Sequence, residues 1–259
     1  MPGDFGSFIA KKRQISKESG QERVNVFCRL RPGNDNDTTV SQDDTVGTDQ
    51  IGVTPVEDHD DSGVKVRDFD GKLKQFTFDR FFDAKATQAD VFETAASKVI
   101  DSVVEGHNGT IFAYGQTGSG KTHTMLGPDS EEPGSLPRPE DEGVIPRSLR
   151  RLFSQIDAQE DQYDFKVTVS YIQIYCEILS DLLQPSNADS LVIRERSGRS
   201  NEVYISGASR FNVASADDCL RHIQVRCKLD VNSSLGLPME PLWFDDLFCL
   251  HSLLIFACH

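Results

Sequence analysis

Nowhere in this 259-residue chain do about 18 apolar residues run together, so no segment is expected to cross a bilayer as a helix. The N-terminal residues MPGDFGSFIAKKRQ lack the apolar core of a secretory signal. No C-x-x-C pair occurs. Cys28, Cys176, Cys219, Cys227, Cys249 and Cys258 stand at irregular spacings, which argues against a zinc site or a disulfide framework and for free, buried thiols in a reducing compartment. Positive charge is scarce: 27 Lys and Arg face 41 Asp and Glu, for a formal net charge of −14. A general nucleic-acid binder needs a basic surface to neutralise phosphates, so that role is not expected. These absences describe a cytoplasmic chain with no membrane span and no nucleic-acid partner.

What is present suits one large α/β domain or two small ones, with 37% hydrophobic and 26% charged residues. The charge is uneven. Residues 11–31 carry seven Lys or Arg against two Glu, whereas residues 35–61 carry nine acidic side chains and no basic one. An acidic whole still permits a local basic face for an acidic polymer.

The informative stretch is Gly109-Thr110-Ile111-Phe112-Ala113-Tyr114, a run of strand type, followed by GQTGSGKT at Gly115–Thr122. It fits the phosphate-loop pattern G-x-x-x-x-G-K-[ST]. Gly115, Gly118 and Gly120 let the backbone turn tightly around Gln116, Thr117 and Ser119, so that successive N–H groups converge on one anion. A helix starting near Lys121 adds the partial positive charge of its N-terminus. Lys121 can reach β- and γ-phosphates, and the Thr122 hydroxyl can ligate Mg²⁺.

In chain order, residues 1–22 read as a mobile extension and 24–30 as a strand stopped by Pro32-Gly33. The acidic 34–62 stretch reads as a surface excursion with an edge strand around 51–56. Residues 64–69 and 73–78 flank Asp70-Gly71 and predict a hairpin. Residues 87–105 predict one helix, capped by Thr87 with Asp90 and stopped at Gly106. Strand 110–114 leads into the loop, and 127–142 is a solvated loop. A helix opens near Pro146 with Leu149, Leu152, Phe153 and Ile156 inward. Residues 165–175 predict one long strand covered on both sides, 178–183 a short amphipathic turn, 191–194 and 203–205 weaker strands. Ser215 with Asp218 caps a last helix. Past Gln224 the periodicity is lost, and 243–258 is dense in apolar residues.

VNVFCRLRP, FTFDRFFD, the run ATQADVFETAASKVIDSVVEGHNGTIFAYGQTGSGKTHTM, GVIPRSLRRLF and VSYIQIYCEILSDLL follow the order and spacing of a kinesin motor domain over about 23–224. The GQTGSGKTHTM loop resembles the kinesin version and differs from that of myosin. The resemblance implies an α/β P-loop NTPase fold, a mostly central sheet with helices on both faces, and an ATP-dependent, cytoskeleton-associated motor that binds microtubules. It further implies ATP or ADP with Mg²⁺ at Gly115–Thr122, Thr122 being the metal ligand. Arg29 and Pro32 match the R-x-R-P motif that lines the adenine, and His123 stands beside the nucleotide. Phe92 either packs near the base or is helix core.

The departures from the family pattern are as informative. Switch I, N-x-x-S-S-R-S-H, is not found, Asn232-Ser233-Ser234 being only a fragment; switch II, D-L-A-G-S-E, is absent as well. No catalytic residue is identifiable. Phosphoryl transfer needs an oriented water and groups around the γ-phosphate, so little or no turnover is expected of these residues. Residues 225–259 are expected to stem from a frameshift or retained intron, leaving an incomplete motor. A non-cycling isoform that binds nucleotide or a partner, and an unrelated phosphate-loop kinase, are the other readings. Strand 110–114 is expected to be central and short of neighbours, with the apolar 243–258 stretch a candidate to fill part of the gap.

Overall fold

A computed structural model describes residues 24–32, 53–55, 63–67, 72–128, 137–161, 163–175, 177–186, 191–195, 203–223, 253–254 and 257–258. The expectations for 1–22, the acidic 34–50 stretch, the Asp70-Gly71 turn and 225–252 lie outside them. The chain forms two compact units, one ending at Phe82 and the other beginning at Asp83.

In the first unit, β1 (Phe27–Arg29) runs parallel to β5 (Arg80–Phe82), with Phe27 opposite Arg80 and Arg29 opposite Phe82. The Leu30 N–H donates to the Phe82 carbonyl at 2.9 Å and the Asp79 N–H to the Val26 carbonyl at 2.8 Å, carrying the contact past both ends. The strand is shorter than its alternation predicts: Val24 stays 69% exposed and lies in no ladder among the described residues. Beside it β2 (Val53–Pro55), β3 (Gly63–Arg67) and β4 (Leu73–Thr77) form an antiparallel sheet in the order β2-β3-β4. The expected edge strand and hairpin are both present, with Arg67 opposite Leu73.

The second unit opens with α1 (Gln88–Ala95) and α2 (Ser97–Val104). The capping box forms as expected: the Asp90 N–H donates to Thr87 Oγ1 at 3.1 Å, and the Thr87 N–H donates to Asp90 Oδ2 at 2.9 Å. The single helix predicted over 87–105 is broken at Ala96, whose φ of −122° leaves the helical region. Ser97 Oγ donates to the Glu93 carbonyl at 2.7 Å, a back-bond of the kind that bends helices. After α3 (Lys121–Met125) comes α4 (Val144–Asp157), with Pro146 in its first turn, where a missing N–H costs nothing. Arg151 donates to both oxygens of Asp101, at 2.7 and 2.9 Å, and Gln155 to one of them at 2.6 Å; this clamps α2 to α4 and holds the Asp101 carboxyl below its usual range.

The predicted long strand is two, β6 (Val167–Val169) and β7 (Tyr171–Tyr175), parted at Ser170, whose hydroxyl donates to the Ser209 carbonyl at 2.6 Å. Residues 178–183, read from sequence as an amphipathic turn, contain β8 (Ile178–Asp181), antiparallel to β7; Glu177 takes the tight bend with φ +66°. Short apolar runs are ambiguous between helical turn and strand, and here the hairpin partner decides. Then β9 (Val192–Glu195) and β10 (Val203–Ser206), both predicted as strands, pair antiparallel with each other, and β11 (Phe211–Asn212) joins β6. The helix at 216–223 is capped by Ser215, whose Oγ accepts the Asp218 N–H at 3.1 Å. Two dipeptide strands follow, β12 (Leu253–Leu254) on β7 and β13 (Ala257–Cys258) on β6, giving the orders β12-β7-β8 and β11-β6-β13.

The core joins Leu149, Leu152 and Phe153 of α4 to Val167, Val169 and Tyr171, with Leu220 and Ile223 of the last helix closing over them. Cys219 lies in it, fully buried, and burial pushes its thiol up to about 12, with the Asp218 charge adding to the effect. Since only the thiolate is nucleophilic, iodoacetamide should leave Cys219 unmodified in the native chain at neutral pH and label it after denaturation. Peptide mass mapping with and without guanidinium checks this; native labelling as fast as denatured would contradict the packing.

Candidate functional site

The approach to the loop departs from expectation. Residues 107–115 lie in no helix, turn or ladder among the described residues, and Phe112 and Tyr114 are 66% and 61% exposed. The stretch predicted as a central strand thus alternates exposed and half-buried residues outside any described sheet. β12 and β13 pair with β7 and β6 and supply no partner to 110–114.

The loop itself has the expected geometry. Gly118 and Gly120 take φ of +79° and +95°, left-handed values that a side chain would strain. A Cβ at Gly115 would meet Ser119 Oγ and require that hydroxyl to turn away. The Ser119 N–H donates to the Gln116 carbonyl at 3.1 Å and closes the turn. Gly120 is the N-cap of α3, and Lys121 is its first residue. Lys121 Nζ folds back to donate to the Gly115 carbonyl at 2.8 Å and the Gln116 carbonyl at 2.9 Å, which places a positive charge at the mouth of the turn. Thr122 and His123 follow on the first turn, both exposed. The bare-glycine cradle, the ammonium at its mouth and the exposed hydroxyl of Thr122 form a donor set that fits a Mg²⁺-bound polyphosphate.

The support beneath α3 was not predicted. Gln88, only 6% exposed, donates through Nε2 to the His123 carbonyl at 2.6 Å and to the Asp141 carbonyl at 3.4 Å, with His123 Nδ1 also 3.4 Å away. The end of α3 lies against the start of α4. The Gly143 N–H donates to the Leu126 carbonyl at 3.2 Å, and a Cβ on Gly143 would sit 2.6–2.7 Å from the backbone of Met125, Leu126 and Gly127. Arg147 gathers the preceding loop, donating to the carbonyls of Glu142, Pro139 and Glu140 at 2.8–3.0 Å. Glu142, buried to 2% exposure, is held by Arg150 through both carboxylate oxygens at 2.6–3.0 Å, and Arg150 also reaches Asp217 at 3.1 Å; the Glu142 contact raises the Arg150 guanidinium above its usual range.

The other predicted residues sit on separate elements. Phe92 is buried at 5% exposure on α1. Arg29 ends β1 in the first unit, where burial lowers its guanidinium from the usual range, and Pro32 lies just beyond that strand, exposed.

Comparison with known proteins agrees with these features. A family model of the kinesin motor domain matches residues 29–231. Kinesin-like protein Klp61F of Drosophila melanogaster is 36% identical over 214 residues, covering 82% of this chain and 19% of the relative. A kinesin heavy chain of Syncephalastrum racemosum is 37% identical over 75% of this chain and 19% of its own length. Kinesin-like protein 3 of Schizosaccharomyces pombe is 36% identical over 76% and 32%. A solved structure of a fast kinesin, described for its ATPase mechanism and interactions with microtubules, superposes with a TM-score of 0.64 at 32% identity, over 81% of this chain and 55% of that one. The chain thus spans a fifth to a third of the curated relatives' length. Glycine loop, α/β P-loop NTPase fold and a motor-domain match over most of the sequence agree, and this chain belongs to the kinesin motor family.

Proposed function

We propose that this chain binds ATP and ADP with Mg²⁺ at Gly115–Thr122, as a member of a microtubule-based motor ATPase family acting at the cytoskeleton in the cytoplasm. The observation that carries the reading is the loop itself: left-handed Gly118 and Gly120 entering α3 at Lys121, with Nζ at the loop mouth. The N–H groups of Lys121 and Thr122 open α3 ahead of any intrahelical carbonyl, and in this reading they turn to phosphate oxygens. On binding, Lys121 would exchange the carbonyls of Gly115 and Gln116 for phosphate oxygens, and the Thr122 hydroxyl would hold Mg²⁺, whose charge would offset that of the phosphates. By the family pattern, Arg29 and Pro32 take the adenine-lining role and His123 the position beside the nucleotide, while Phe92 lies on the buried face of α1. Among the described residues no helix is long and apolar enough to cross a membrane.

Turnover is a separate matter. The sequence holds neither N-x-x-S-S-R-S-H nor D-L-A-G-S-E, so no recognisable group orients the attacking water or follows loss of the γ-phosphate. Binding the ground state gives no rate enhancement. The 259-residue polypeptide should therefore bind a fluorescent ADP analogue saturably yet show no microtubule-stimulated hydrolysis. Ordinary stimulated turnover would overturn the second half of this reading. Absence of saturable binding at millimolar nucleotide would overturn the first.

A further inference from the structure

We propose that Gln88 is a positioning residue of the nucleotide loop, clamping α3 from beneath and fixing the proton of His123 on Nε2; the proposal rests on the nucleotide-binding reading above. Its position on α1 gives no hint of this, since it follows the cap Thr87 where a polar side chain ordinarily faces water. Instead the amide is buried, and Nε2 faces two carbonyl oxygens, those of His123 at 2.6 Å and Asp141 at 3.4 Å. An amide oxygen in that position would face two acceptors, so the network requires the NH₂ group there. An NH₂ nitrogen only donates, and His123 Nδ1 lies 3.4 Å from it. Facing a nitrogen that only donates, Nδ1 is suited to the acceptor role, which leaves the ring proton to Nε2 in this proposal.

One buried side chain thus ties together the third residue of α3, its imidazole and the loop that leads into α4. Because His123 follows Lys121 and Thr122 on the same turn, the carbonyl that Gln88 grips belongs to the segment that presents both phosphate-binding side chains. With its proton on Nε2, the ring carries a donor suited to an acceptor nitrogen or oxygen on a bound nucleotide.

The test uses the full 259-residue chain with ¹⁵N-labelled histidine, His123→Asn serving to assign the ring signals. Without nucleotide, the native ring should carry its proton on Nε2. Gln88→Glu presents an acceptor and should draw the proton to Nδ1; Gln88→Met, similar in length but donating nothing, should give mixed tautomers. Affinity for a fluorescent ADP analogue should fall about tenfold in both variants, the scale on which orienting residues behind a ligand act. Gln88→Asn, which keeps the donor but is one methylene short, should fail to restore affinity. A native ring protonated on Nδ1 overturns the proposal, as does a Gln88→Met chain with unchanged tautomer and affinity. If the native chain binds no analogue, the nucleotide reading fails by itself, while the ring measurement on the free chain still judges the clamp and tautomer assigned to Gln88.

Discussion

Lys121→Met should lower affinity for an ADP analogue by about 10- to 150-fold, the loss expected when one charge-assisted hydrogen bond of about 1.5–3 kcal/mol is removed. The side chain is well placed for that loss. Nζ already donates to the carbonyls of Gly115 and Gln116 at 2.8 and 2.9 Å, so it stands at the loop mouth before any ligand arrives. Those two contacts are partly solvated, and their removal should leave the thermal midpoint nearly unchanged. Affinity and stability therefore separate, which distinguishes a binding role from a folding one. Lys121→Arg should not restore binding, because a planar fork cannot replace a compact ammonium over a tight turn. Titration of native and variant chains in millimolar Mg²⁺ is the measurement. An unchanged dissociation constant for Lys121→Met would mean that the loop does not hold phosphate.

The largest stability loss should come from a residue far from that loop. Asp181, at the end of β8, is 1% exposed and accepts four hydrogen bonds. Its Oδ1 accepts from the backbone of Leu183 and Gln184 at 3.0 Å each and from the Ser209 hydroxyl at 2.9 Å; its Oδ2 accepts from the Ser209 N–H at 2.7 Å. A single carboxylate thus stitches the turn after β8 to the segment entering β11, and the neighbouring Ser170 hydroxyl ties the same Ser209 to the gap between β6 and β7. Asp181→Ala strands buried donors at about 1–3 kcal/mol each, for an expected total of about 3–5 kcal/mol after relaxation. A domain's whole stability is about 5–15 kcal/mol, so the variant should be largely unfolded by mild warming. Asp181→Asn keeps one acceptor oxygen and should fall between the two. Urea denaturation followed by circular dichroism reads the difference, and a loss below about 1 kcal/mol would refute this account of Asp181.

The elements legible in the sequence were those whose signals are local. Thr87 and Asp90 meet in the capping box that their spacing announces, Pro146 and its apolar face mark α4, and the glycines of GQTGSGKT take the left-handed values that the loop pattern requires. Where a partner elsewhere in the chain decides, sequence reading failed. Residues 178–181 become a strand because β7 lies beside them, and 110–114 belong to no ladder despite their strand-forming composition, since none of the described strands runs alongside. The break at Ala96 turns on one serine hydroxyl reaching back to Glu93. At the site, the pattern located Gly115–Thr122, the residues proposed to face the ligand, but not those behind them. Gln88, Gly143 and Arg147 lie within the runs ATQADV and GVIPR, yet nothing in the sequence assigns them a role, and their roles follow only from the carbonyls and backbones they meet.

The close passage of Gly143 against the end of α3 has a mechanical meaning. Two stretches of backbone touch there with no side chain between them, and the Gly143 N–H is bonded to the Leu126 carbonyl. Side-chain contacts can slip by changing rotamer, but bare backbones in contact have no such freedom. The joint is therefore stiff, and α4, a 14-residue rod, starts from it. A displacement of α3 on ligand binding would be passed to that rod as a tilt about its first turn and would grow along its length. The far end of α4, some four turns from the loop, is where the largest movement would be felt.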